Sequence, residues 1–200
     1  MSDDVTTTYG RLAGRYIELF DNIDSVHPDD IAFIERHLGG ASGRVIDVGC
    51  GPGHLTAHLR SLGLDAAGID PVPEFIEHAR VAHPDAEFEV GSLADIAGRG
   101  TSAAGVLAWY SLVHLPPDEM GRALTITAQL IEPGGSLVIG CFDGPDGAPF
   151  DHKVTTAYTW SADELAERLR SVGLLEVDRH RRPADGDTRA HFALAVRHLD

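Results

Sequence analysis

The sequence is short of cysteine, of basic charge and of long apolar runs, and each shortage removes a class of function. Its 200 residues include two cysteines, Cys50 and Cys141, too far apart to form a CxxC redox or zinc pair, so both are expected as reduced thiols. No run reaches the roughly 18 apolar residues that a membrane span requires. The opening MSDDVTTTYG is acidic where a signal peptide would be basic, and a soluble, cytoplasmic protein is expected. Sixteen basic residues face 31 acidic ones, a formal charge of −15. Such a field repels polyanions at the distances where they are captured, so DNA, RNA and anionic membranes are not expected as partners. The RHRR segment at 179–182 is a small footprint and reads as a solvated strand end or turn. Eleven histidines invite a metal, and His54 and His58 have i, i+4 spacing. With no Glu between them as in HExxH and no third ligand in view, none is expected.

What is present is an ordinary globular composition, 43% hydrophobic and 24% charged, in a length that suits one domain. Tyr9, Leu12, Ala13, Tyr16, Ile17 and Phe20 fall on one helical stripe, and a second helix follows Pro28 and stops at Gly39. From Arg44 short apolar runs alternate with helical patterns. Strands are expected at 44–48, 66–70, 87–90, 105–110 and 136–142, and helices at 54–63, with Leu55, Leu59 and Leu62 inward, 73–80 and 117–131. That alternation specifies a largely parallel sheet with helices on both faces. The ending differs: Ser161, with Glu164 three residues on, signals a helix start, and LLEVDRH and HFALAVRH read as strands around a turn at Asp185 and Gly186, close enough to pair antiparallel. The expected organisation is one doubly wound α/β domain over 1–200, with a helical cap at 1–40, a cofactor-binding core at 41–142, and a substrate loop, helix and hairpin at 143–200.

The segment VIDVGCGPG, 45–53, passes from strand to glycine-rich turn to helix. Glycines there let backbone approach a ligand closely. A dinucleotide fold needs GxGxxG, and the third glycine position is occupied by His54. Asp47, inside the strand, would sit badly beside a pyrophosphate and well beside a cation. Asp70 ends the second strand, where a carboxylate can accept hydrogen bonds from both hydroxyls of a ribose. A cationic ligand with an unsubstituted ribose fits S-adenosylmethionine.

The set Asp47, Gly49, Gly51, Gly53 and Asp70 resembles the first two motifs of class I S-adenosylmethionine-dependent methyltransferases. GSL, 91–93, resembles the family's adenine-side segment, and IEPGGSLVIG the turn and strand before its last helix. The resemblance implies seven strands with an antiparallel final hairpin, and a cofactor set of Tyr9, Tyr16, Asp47, Val48, Gly49, Cys50, Gly51, Gly53, Asp70, Pro71, Ser92, Leu93 and Trp109. Many relatives carry Asp in the GSL segment; Ser92 or backbone acceptors stand in for it here. An N-terminal helix that covers the cofactor in relatives would bring Tyr9 and Tyr16 to it, although core packing accounts for them equally. The NPPY-type tetrapeptide of base-methylating relatives is absent; WYSLVHLPP stands after the fourth strand.

Ligands of doubly wound sheets sit over the carboxyl ends of the strands, so the segments after strands four and five should face the transferred methyl group. Trp109, Tyr110 and His114 are candidates there, with His114 and Tyr110 catalytic and His114 the base. Core packing for the first two and loop capping for His114 is the competing reading. FDGPDGAPFDH, 142–152, reads as a lid or substrate loop, or as a plain mobile connection. Phe142, His152, Tyr158 and Trp160 are the acceptor-side candidates. The expected function is methyl transfer from S-adenosylmethionine to a small molecule, releasing S-adenosylhomocysteine. The alternatives are a nicotinamide-dependent oxidoreductase and a non-catalytic S-adenosylmethionine-binding protein. Neither the acceptor nor the oligomeric state is legible.

Overall fold

The structure, a computed structural model, describes residues 3–186 and 188–199. It runs α1 (Asp3–Phe20), a 3-10 turn (Ile23–Ser25), α2 (Pro28–Leu38), β1 (Val45–Val48), α3 (His54–Ser61), β2 (Ala66–Asp70), α4 (Pro73–Ala82), β3 (Glu87–Val90), α5 (Leu93–Ala97), β4 (Ala103–Trp109), α6 (Pro117–Leu130), β5 (Ile131–Phe142), β6 (Ala148–Phe150), β7 (Ala157–Thr159), α7 (Ala162–Ser171), β8 (Leu174–Arg182) and β9 (His191–His198). Seven strands form one sheet in the order β3-β2-β1-β4-β5-β9-β8. The first five are parallel, and β9 pairs antiparallel with both β5 and β8. The order turns back on itself at β1, which bonds β2 on one side and β4 on the other. A doubly wound sheet opens its ligand crevice above that switch point.

The period of two along each strand sorts the core into two layers. Leu107 of β4 and Val138 of β5 meet Phe33, Ile34 and Leu38 of α2 and Leu55 and Leu59 of α3. Their neighbours Val106, Leu137 and Ile139 turn the other way, onto Met120 and Leu124 of α6 and Leu165 and Leu169 of α7. Helix α2 is tied down a second time by charge. Buried Asp30 accepts a hydrogen bond from Arg182 of β8 at 2.9 Å and lies 3.5 Å from His191 of β9. Burial alone would raise its carboxyl; the opposing hydrogen bond from His191 and the charge of Arg182 outweigh that and hold it below the usual range.

Several expectations change. Leu62 is 45% exposed, because α3 stops at Ser61 and the following turn carries that side chain outward. On α1, Leu12 and Phe20 are also exposed, so the inward stripe narrows to Tyr9, Ala13, Tyr16 and Ile17 packed on Val72 and Phe75. Strand β4 ends at Trp109, since Tyr110 turns into the left-handed region at φ 53°. The Pro133-Gly134-Gly135 turn lies inside the bounds of β5, absorbed as a register shift against Ala103 and Gly105 of β4. Residues 142–152 are no free loop: β6 pairs antiparallel with β7 in a separate two-stranded sheet. No helix among the described residues is long and apolar enough to cross a membrane.

Candidate active site

The glycine loop between β1 and α3 is built by positive φ, 71° at Gly49, 54° at Gly51 and 92° at Gly53. Two of these positions also lack room. A Cβ on Gly49 would stand 2.4 Å from Cβ of Ser111, and one on Gly53 would stand 2.7 Å from Phe88. At Gly51 the neighbour is the Tyr16 ring at 3.8 Å, ordinary contact distance, so the loop's open side faces α1. Gly53 caps α3 without a side-chain hydrogen bond, and the first backbone N–H groups of that helix remain available to a ligand. His54 follows, half-buried, and burial pushes its imidazole down to about 4.

Two buried carboxylates lie beneath and beside this loop. Asp70 accepts from Gly51 N–H at 3.0 Å through one oxygen and from Val72 N–H at 2.8 Å through the other. Each oxygen keeps a second lone pair, so acceptor capacity remains for a pair of hydroxyls. Burial pushes its carboxyl up to about 6 against those two hydrogen bonds. Asp47 accepts from the Thr56 hydroxyl at 2.7 Å. At 2% exposure it acts on a ligand through its field rather than by an open surface. Burial and the nearby Asp70 push it up to about 7, with the Thr56 hydrogen bond opposing. Val48 and Cys50 are buried in the same turn and Pro71 is half-buried beyond Asp70. Burial raises the Cys50 thiol well above its ordinary value.

Helix α1 closes the crevice. Tyr16 packs on Phe75, with ring centroids 5.1 Å apart, and edge-on against Tyr9 at 5.7 Å. Burial raises both phenols, Tyr16 to about 12, and the charge of Asp70 adds to each. The Tyr9 hydroxyl lies 2.8 Å from Nε2 of His114, whose Nδ1 lies 2.8 Å from the Thr156 carbonyl. A carbonyl only accepts, so Nδ1 carries the proton and Nε2 offers its lone pair to the Tyr9 O–H. Burial lowers the His114 pKa and holds the ring neutral, against the Thr156 hydrogen bond.

The remaining candidates divide. Phe142 and His152 join Phe150 and Tyr110 in a half-buried row of rings leading away from His114, beginning with His152 at 5.2 Å. Tyr110 lies at the far end, between Phe142 and His191, one ring removed from His152 rather than beside His114. Trp109 packs in the α2 layer, against Gly140. Trp160 is 1% exposed, in the core with the Arg168 guanidinium 4.7 Å over its ring. The structure therefore moves Trp160 off the acceptor side, because β7 delivers it inward to α7. Tyr158 is half-buried on β7, its N–H donating to the Val113 carbonyl. Ser92 spends its hydroxyl on Asp95 at 2.6 Å in a capping box that starts α5, beside half-buried Leu93. That Ser-x-x-Asp spacing was readable in the sequence. Thr56, the Thr156 carbonyl and Phe150 were not, since each meets its partner only through the fold.

The methyltransferase domain family model matches residues 45–135, the span from the glycine loop through β4 and α6. Over that span the chain carries a methyltransferase domain. An uncharacterized methyltransferase of Mycobacterium tuberculosis is 29% identical over 167 residues, covering 76% of this chain and 65% of that protein. A ubiquinone biosynthesis O-methyltransferase of Xanthomonas axonopodis pv. citri is 31% identical over 123 residues, covering 58% of this chain and 50% of its own. The chain thus spans less than two thirds of the length of these relatives. Among solved structures, the 1,6-didemethyltoxoflavin-N1-methyltransferase of Burkholderia thailandensis, with bound 1,6-didemethyltoxoflavin and S-adenosylhomocysteine, superposes at TM-score 0.78 with 23% identity, over 98% of this chain and 88% of that one. Magnesium protoporphyrin IX methyltransferase of Synechocystis, with bound S-adenosylmethionine, gives 0.76 with 18% identity, over 99% and 98%. At these identities the methyltransferase fold is what the structures share with the chain.

Proposed function

We propose that the chain binds S-adenosylmethionine in the crevice between the glycine loop and α1 and transfers its methyl group to a small molecule. The observation that carries this reading is Asp70: a buried carboxylate at the end of β2, bonded to the glycine loop and faced by two tyrosines of α1. The donor set suits that ligand, with carboxylate lone pairs for ribose hydroxyls, uncapped N–H groups of α3 for a carboxylate, and negative field from Asp47 and Asp70 for a cation. When bound, the cofactor supplies an electrophilic methyl group on a good leaving group. The chain's part is then to position the acceptor, which supplies roughly 7–11 kcal/mol in favourable intramolecular cases, and to take its proton. His114 is the base: its Nδ1–H is anchored on Thr156, and the acceptor's O–H or N–H takes the place of the Tyr9 hydroxyl on Nε2. Tyr110, one ring removed, serves the acceptor wall.

The test is a pair of substitutions. Asp70→Ala should weaken S-adenosylhomocysteine binding by about 1.5–3 kcal/mol, the range for hydrogen bonds to a charged group, measured by calorimetry on folded protein. His114→Ala should leave that affinity intact and lower kcat on the true acceptor by about 10²–10⁴, read by mass spectrometry of S-adenosylhomocysteine released over an acceptor panel. Unchanged affinity in Asp70→Ala would remove the ribose assignment. A non-catalytic binding protein would show the first effect and release no product.

A further inference from the structure

We propose that the acceptor is a planar aromatic or heteroaromatic acid, its ring laid on the wall formed by Phe142, Phe150 and His152 and its anionic group held by Arg189 and Lys153. The proposal rests on the reading of the site as a methyl-transfer centre and names the class of molecule that centre accepts.

The wall begins at the base. His152 stands 5.2 Å from His114, Phe142 5.9 Å from His152, and Phe150 5.2 Å from Phe142 and 6.1 Å from His152, all between ring centroids. These rings come from the end of β5 and from the end of β6 with the residues that follow it, so two stretches of backbone converge here. Each ring of Phe142, Phe150 and His152 is left half-buried, where core packing would have covered it. Aromatic rings share the offset and edge-on geometries that a planar guest would extend by one more member.

Two cations stand beside this wall, alongside the exposed Asp151 between Phe150 and His152 in the chain. In a chain of net charge −15, Arg189 lies with its guanidinium 4.1 Å over the Phe150 ring, and Lys153, the sequence's single lysine, directly follows His152. Both are exposed, and among the described residues neither forms an ion pair. The contrast is with Arg179 and Arg182, each committed to a carboxylate. Burial first, and then the charges of His114, Lys153 and Arg189, push the His152 imidazole down to about 4. His152 is therefore a neutral ring to stack on, with Lys153 and Arg189 as the cations nearest to it in effect. A small anion is repelled by the molecule at large and favoured at this rim, where a planar guanidinium can take a carboxylate through two parallel N–H donors. An acid whose ring lies on this wall is bracketed by His114, 5.2 Å from His152, and by Arg189 over Phe150.

The experiment is calorimetric titration of the full chain saturated with S-adenosylhomocysteine. The probes are benzoate, 4-hydroxybenzoate and indole-3-carboxylate, each beside its own carboxamide. The acids should bind, and each carboxamide should bind at least about tenfold more weakly, the lower end for losing a hydrogen bond to a charged group. Arg189→Gln and Lys153→Gln should shrink that preference, both together should abolish it, and Arg122→Gln on the exposed face of α6 should leave it unchanged. The acceptor class is overturned if S-adenosylhomocysteine binds while no acid does, if acids and carboxamides bind alike, or if the preference survives the double substitution. Failure of S-adenosylhomocysteine itself to bind would be a different result, overturning the cofactor reading on which this one stands.

Discussion

At the scale of single residues, two carboxylates decide how the site responds to pH. Asp47 and Asp70 are raised from the usual carboxylate range to about 7 and about 6, first by burial. A raised carboxyl gives the folded state an advantage below the unfolded value, and that advantage is lost as pH rises through the folded one. For the ligand-free protein, then, these two groups oppose stability progressively from about pH 4 to pH 7. A ligand that donates hydrogen bonds and positive charge needs them ionised, so binding must expel their protons. Affinity for S-adenosylmethionine should therefore rise between pH 5 and 8, and calorimetry at pH 6 in buffers of different ionisation enthalpy should register proton release. A flat affinity over that range would mean that neither carboxylate senses the ligand. The positions of these acids were legible in sequence because the glycine pattern fixes where β1 and β2 end. Their partners were only partly so: Gly51 is local to the motif, whereas Tyr9 meets His114 across 105 positions of sequence, a distance that no spacing rule reaches.

At the scale of elements, what was readable is what carries its own punctuation. The helix α7 begins where Ser161 accepts the Glu164 N–H at 3.2 Å and ends before Gly173 at φ 87°, both visible as residue types. Ser161→Ala should lower stability by about 1 kcal/mol, the usual loss for an N-cap, measured by urea unfolding. A value near zero would show that the neighbouring Asp146 carboxylate, which accepts the Ser161 N–H at 2.7 Å, fixes the helix start alone. The pair β6 and β7 carried no such punctuation. Each is three residues long, and Pro and Gly crowd the first, so the composition reads as loop; it is the Thr159 hydroxyl, donating to the Pro145 carbonyl at 2.7 Å, and the pairing across the two strands that order it. Helix α5, five residues long, is below the length at which periodicity declares itself.

At the scale of the whole molecule, charge governs what approaches. With −15 spread over 200 residues, the protein should not retain duplex DNA or structured RNA on nitrocellulose at physiological salt. Retention with a steep salt dependence would show that Arg179 to Arg182 outweigh the global field, although Arg179 and Arg182 are already engaged by Asp163, Glu176 and Asp30.

The place of β9 also sets a timetable for synthesis. It lies between β5 and β8, yet both of those precede it in the chain. While the ribosome is still adding residues 191–198, the nascent sheet has β5 as its outer edge, and Leu137, Val138, Ile139 and Cys141, all 0% exposed in the finished fold, belong to that bare strand. β8 emerges earlier and has nowhere to bond, because its only neighbour is not yet made. An apolar edge of this kind recruits other strands. The interval before β9 becomes available is thus the moment of greatest aggregation hazard, and the one at which a holding chaperone would matter most.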